Sequence, residues 1–163
     1  MIEQYLKFPI PPVGQDILFS DGVALDKKNR FSLPNRVAAA LAISGSTLFD
    51  LINFSDKDIP YIQYIPQMLR ANSHRLFLEN TQQEWFSDAY KQNWFTAREE
   101  YTARAETVRL DATKRLIVPV TKINSLWLQS ANQIHMLFSY PSIKIYRVED
   151  YSRLLASYAN SKK

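Results

Sequence analysis

Leu25-Asp26-Lys27-Lys28-Asn29-Arg30-Phe31-Ser32-Leu33-Pro34 and Leu110-Asp111-Ala112-Thr113-Lys114-Arg115-Leu116-Ile117-Val118-Pro119 are one phrase written twice, 85 positions apart. Both read Leu-Asp-x-x-x-Arg-apolar-x-apolar-Pro, and a valine stands two residues before each leucine (Val23, Val108). Recurrence at one spacing, with the same order of features after each copy, marks an internal duplication. The aspartate and the polar residues behind it predict a turn. The apolar-x-apolar triplet predicts a half-buried strand, which the proline ends.

Outward from the first copy, the pattern predicts a strand over residues 17–25, the turn, a short strand over 31–33 and an alanine-rich helix over 36–42. Asn35 is placed to cap that helix, and Gly45 ends it. A strand over 47–52, a polar loop over 53–58 and a strand over 61–65 follow. The second copy repeats the order with strands over 107–110 and 116–118, a helix over 120–126, and strands over 133–138 and 143–146. Pro60 and Pro141, which precede the last strand of each copy, are only 81 positions apart. The first copy's loop is therefore expected to be about four residues longer, a cheap change because closure entropy grows slowly with length.

Between the copies the chain reads as helical. Residues 66–78 offer Met68, Leu69 and Leu76 for burial. Thr81-Gln82-Gln83-Glu84 has the form of a capping box, and Trp85, Phe86, Ala89, Tyr90, Trp94 and Phe95 recur at helical spacing to make an aromatic face. A further helix over 150–158 carries Tyr151, Leu154 and Leu155. Pro9, Pro11 and Pro12 make the first residues an extended arm. The expected organisation is α+β: an arm over 1–18, one β-rich repeat over 19–66, a helical hairpin over 67–103, a second repeat over 104–147, and a helix and tail over 148–163.

Composition fits a globular chain, with 46% hydrophobic residues, 13% aromatics and three glycines in 163 residues. No apolar run approaches the roughly 20 residues that cross a bilayer. The first residues lack the basic start and apolar core of a secretory signal, and there is no cysteine, so a reducing cytoplasm is the expected compartment. The formal charge of +4 suits an anionic partner such as nucleic acid. Glycine-rich phosphate loops, Gly-x-Ser-x-Gly elbows and His-Glu-x-x-His pairs are missing, and neither His74 nor His135 has neighbours at metal-ligand spacing. Glu99 and Glu100 read as a solvated helix surface. Hence no enzyme, metal or cofactor is expected.

The paired Asp-x-x-x-Arg motifs, each within strand–turn–strand–Pro–helix, resemble those of the MraZ family, two-repeat members of the AbrB/SpoVT-like swapped-hairpin superfamily. The resemblance spans about residues 21–155. It implies a duplicated β-barrel woven from both repeats, a homo-oligomer that can be a ring, and sequence-specific binding of double-stranded DNA at repeated operator sites. Such a transcription regulator would be cytoplasmic and nucleoid-associated, with no membrane and no small-molecule substrate. Family members usually have glycine just before the motif arginine, where this chain has Asn29 and Lys114. Lysine tolerates positive φ poorly, so the second turn is expected to differ in shape from the first.

Arg30 and Arg115 are the principal candidates for DNA contact, arginine being the side chain best shaped to read guanine O6 and N7. Lys27, Lys28, Lys114 and Arg36 are the supporting cations. Asp26 and Asp111 are assigned to holding the turns. An arginine paired with its own turn aspartate could serve the turn alone, or the aspartate could orient an arginine whose other donors face outward. Residues 21–36 hold four cations against two acids, and residues 104–122 hold five against two, so positive charge gathers near both motifs. Trp85, Trp94 and Trp127 are expected in the core or at subunit contacts rather than stacked on bases. The competing class is a protein-interaction module, either an oligomeric scaffold or an AbrB-type antitoxin.

Overall fold

The computed structural model describes residues 19–80, 87–126 and 133–161. The arm, the capping box with Trp85 and Phe86, and Trp127 lie outside them. Among the described residues, eight strands and five helices follow one another: β1 (Phe19–Ala24), β2 (Arg30–Ser32), α1 (Asn35–Ser44), β3 (Leu48–Asp56), β4 (Ile59–Pro66), α2 (Gln67–Asn80), α3 (Asp88–Arg104), β5 (Glu106–Arg109), β6 (Arg115–Ile117), α4 (Val120–Ser125), β7 (Gln133–Ser139), β8 (Ser142–Arg147) and α5 (Val148–Ser161). The class is α+β. Six strands form an open antiparallel sheet in the order β1-β7-β8-β4-β3-β5, and β2 and β6 pair separately as a two-stranded ribbon.

The duplication is visible in the register. Val23 faces Ile134 where β1 meets β7, and Val108 faces Phe49 where β5 meets β3; the 85-residue shift converts one pair into the other. Each half thus lends its first strand to the other half's hairpin. Gln63 faces Lys144 at the middle of the sheet, and these two residues are related by the 81-residue shift. Phe31 faces Leu116 at the middle of the ribbon, related by 85. An approximate two-fold axis therefore passes through both centres.

Alternation decides the faces, as it must in a strand of period two. Phe49 and Leu51 of β3, Ile62 and Tyr64 of β4, Ile134, Met136 and Phe138 of β7, and Ile143 and Ile145 of β8 turn inward. Phe31, Leu33, Leu116 and Val118 from the ribbon region join them in one core, with Val37 and Leu41 of α1 and Ile123 of α4. Each fully buried aliphatic or phenyl group of this kind contributes about 1.5–3 kcal/mol relative to exposure. On the opposite face Ile52 and Ile65 pack under Trp94, Ala97 and Tyr101 of α3, while Leu154 of α5 packs on Ile59 and Tyr146.

Three expectations are corrected. The polar segment 53–58 is not a loop: β3 runs to Asp56, and Lys57 and Asp58 form a two-residue turn with φ of 51° and 65°. Positive φ at both positions is what a tight hairpin needs. The four extra residues thus lengthen a hairpin by two rungs, Ser55–Pro60 and Asp56–Ile59. Asn35 does not cap α1; Pro34 holds that position without a side-chain hydrogen bond, and Pro119 does the same for α4. Gly45 does end α1, with a left-handed φ of 68°. The aromatic face of α3 is also divided, since Trp94 is buried and Phe95 is exposed.

Candidate nucleic-acid interface

Each motif builds its turn around one carboxylate. Asp26 Oδ1 accepts the amides of Lys28 (2.8 Å) and Arg30 (2.9 Å), and its Oδ2 accepts Arg30 Nε at 2.9 Å. Asp111 Oδ1 accepts the amides of Thr113 and Arg115, both at 2.9 Å, and Oδ2 accepts Arg115 Nε at 2.9 Å. The Thr113 hydroxyl adds a further bond to Asp111 at 3.0 Å. Backbone bonds match as well: Asp26 N donates to Arg30 O at 2.8 Å, and Asp111 N to Arg115 O at 3.0 Å.

The expected difference between the turns is not found. Asn29 and Lys114 hold nearly the same left-handed φ, 60° and 62°. The aspartate bonds outweigh the preference of lysine, since a β-carbon at positive φ costs only about 1–2 kcal/mol. The same bonds favour the charged carboxylates. The Arg30 amide is the largest influence holding Asp26 below the usual carboxylate range, and the Arg115 amide likewise brings Asp111 to about 2. Both aspartates are bonded within their own turns.

The arginines come together on one exposed face. Arg30 lies opposite Ile117 and Arg115 opposite Ser32, with the buried Phe31–Leu116 pair between. Opposite residues share a face, and so do residues two apart, so Arg30, Ser32, Arg115 and Ile117 all project from the side away from the core. Diagonal neighbours of this kind lie about 7–8 Å apart. The arginine side chains are 26% and 31% exposed. Only Nε is engaged by the aspartate, and among the described residues neither arginine's Nη atoms have a protein partner. Each guanidinium is thus held by one edge and offers the other edge outward.

Lys27, Lys28, Lys114 and Arg36 are exposed. The first half supplies three of the four, because Ala112, Thr113 and Thr121 replace Lys27, Lys28 and Arg36 in the second. Two cations counted near the second motif act elsewhere. Lys122 lies 3.7 Å from Glu106, and Arg104 pairs with Glu100 at 3.2 Å while donating to Asn53 O.

Tyr64 was missed by sequence reasoning. Its hydroxyl donates to Ile117 O at 2.8 Å, and its ring meets Phe31 edge-on at 5.6 Å between centroids. This ties the ribbon to the main sheet. Burial raises the Tyr64 pKa well above its ordinary value, so the hydroxyl stays a donor. An apolar-x-apolar strand signal over residues 61–65 gives no hint of a partner 53 positions away.

Asp50 was also missed. It is fully buried under α2 and α3 and accepts Tyr101 Oη at 2.8 Å and Gln67 Nε2 at 3.1 Å, with Arg70 at 3.8 Å. Its counterpart in the second half, His135, stacks on Tyr151 at 3.6 Å and bonds Ser20 at 2.8 Å. Both groups serve helix attachment on the outer face of the sheet. Among the described residues no group of His, Asp or Glu is assembled for a metal, and no helix is long and apolar enough to cross a membrane. In comparisons with known proteins, no family model and no curated sequence matches the chain.

Proposed function

We propose that the chain is a sequence-specific double-stranded DNA-binding regulator of the MraZ type, with the β2–β6 ribbon as its reading surface. The single observation that carries this reading is the pair of arginines on one exposed face, each oriented by its turn aspartate with Nη donors outward. A two-stranded ribbon fits the DNA major groove, which is about 12 Å wide, and an outward guanidinium edge suits guanine O6 and N7. Exposed Lys27, Lys28, Lys114 and Arg36 would neutralise phosphates on either side.

In this reading the sheet and ribbon are the swapped-hairpin barrel of that family, repeated in a homo-oligomer. One protomer spans few base pairs, so repeated operator sites and a multimer add avidity. The regulator would act in the cytoplasm, on the nucleoid. Selection of genomic fragments by the purified protein, followed by duplex titration, tests this directly. Recovery of a repeated motif is the expected result; failure to retain any duplex rejects it.

The other class, a protein-interaction module of scaffold or antitoxin kind, is favoured by one observation. Met68 of α2 and Phe95 of α3 expose apolar surface at 38% and 42%. In the regulator these would serve subunit contact. An adjacent toxin gene would favour the module.

A further inference from the structure

The two-fold axis through the ribbon makes Arg30 and Arg115 equivalent, but it does not make their neighbours so. The 85-residue shift carries Ser32 onto Ile117, and these are the other two side chains on the exposed face. Ile117 is 42% exposed although it is a large aliphatic residue, and Ser32 is exposed too. The pairs alternate along the ladder. Bonds from Leu33 N to Lys114 O and from Val118 N to Asn29 O place Arg30–Ile117 and Ser32–Arg115 at non-hydrogen-bonded positions, where opposite side chains stand closest. Each arginine therefore has one close companion, isoleucine in one half and serine in the other.

We infer that this substitution makes the ribbon read an asymmetric site: two guanine-bearing half-sites in inverted orientation, one of which has a thymine beside its guanine. The inference rests on the duplex-binding reading above. Within the major groove thymine alone carries a C5 methyl, and an aliphatic side chain is the natural partner for it. Ile117 supplies that contact next to the base pair addressed by Arg30. Ser32, beside Arg115, can donate to or accept from any base edge and selects weakly. The backbone of Ile117 is fixed by the Tyr64 hydroxyl on its carbonyl, so the side chain is presented at a defined height above the ribbon. A pre-set position is what a single-methyl discrimination requires.

The test uses the full chain and a duplex recovered by fragment selection, in which each thymine in turn is replaced by deoxyuridine. Loss of one methyl contact should weaken wild-type binding about fourfold at a single position in one half-site (about 0.8 kcal/mol for a buried methyl, at 1.4 kcal/mol per tenfold). Ile117→Ala should bind the thymine and uracil duplexes alike. On a duplex given a thymine at the matching position of the other half-site, Ser32→Ile should create the same sensitivity to uracil there, a gain that misfolding cannot imitate. If uracil has no effect anywhere, or the effect persists in Ile117→Ala, the inference is overturned while DNA binding stands. If no duplex is retained at all, the functional reading falls and this inference with it.

Discussion

Phe31 and Leu116 face each other across the ribbon, and the 85-residue shift that relates the two halves exchanges them. Their side chains enter the common core from the same level, which leaves both arginines on the outer face at equal distances from the axis. The position of each guanidinium thus follows from burial of a neighbour. A strand that hides one residue must show the next.

The left-handed residues of the turns give the first prediction. Lys114→Gly relieves about 1–2 kcal/mol of backbone strain and loses about 0.5–1 kcal/mol through glycine's larger chain entropy. The net gain, at most about 1.5 kcal/mol, should raise Tm by up to about 6 °C in thermal unfolding. Asn29→Gly should leave Tm nearly unchanged, because asparagine tolerates this conformation. A fall in Tm for Lys114→Gly would show that the lysine side chain stabilises the turn by other means.

Acid stability follows from the carboxylates. Asp111 titrates at about 2 in the folded chain against an ordinary 3.8, chiefly because it accepts the Arg115 amide. A depressed folded pKa contributes stability that is present above 3.8 and is lost as pH falls towards 2. Asp26 is shifted the same way, its largest cause being the Arg30 amide. Asp111→Asn should flatten the acid limb of a plot of urea midpoint against pH. An unchanged limb would mean that other groups govern acid unfolding.

The buried Asp50 gives a prediction for the other face of the sheet. Tyr101→Phe removes its shortest hydrogen bond, at 2.8 Å, and should cost about 1–3 kcal/mol in urea unfolding. Duplex affinity should not change, since Asp50 lies under α2 and α3 and not on the ribbon. A loss below about 0.5 kcal/mol would show that Gln67 and Arg70 satisfy the carboxylate on their own.

The local parts of this fold are legible in the chain. Asp26–Arg30 and Asp111–Arg115 are complete five-residue devices whose donors and acceptors all lie within the motif. The alternation Phe31-Ser32-Leu33 likewise fixes which face is buried. The exchange of β1 and β5 between halves is not local, for nothing near Val23 points to Ile134. Lys57-Asp58 concealed a hairpin turn because neither residue is the glycine or asparagine that usually marks one. Tyr64 and Asp50 find their partners 53 and 51 positions away, a distance over which strand periodicity carries no information.

The most direct measurement is a duplex titration of the Arg30→Ala, Arg115→Ala double variant beside wild type, with thermal unfolding of both. Two guanine contacts worth about 1–3 kcal/mol each imply a loss of at least about 30-fold. Exposed ion pairs of about 0–1 kcal/mol imply a Tm within a few degrees of wild type, because the aspartates keep their backbone amides. Affinity equal to wild type would contradict the assignment of the ribbon as the DNA-reading surface.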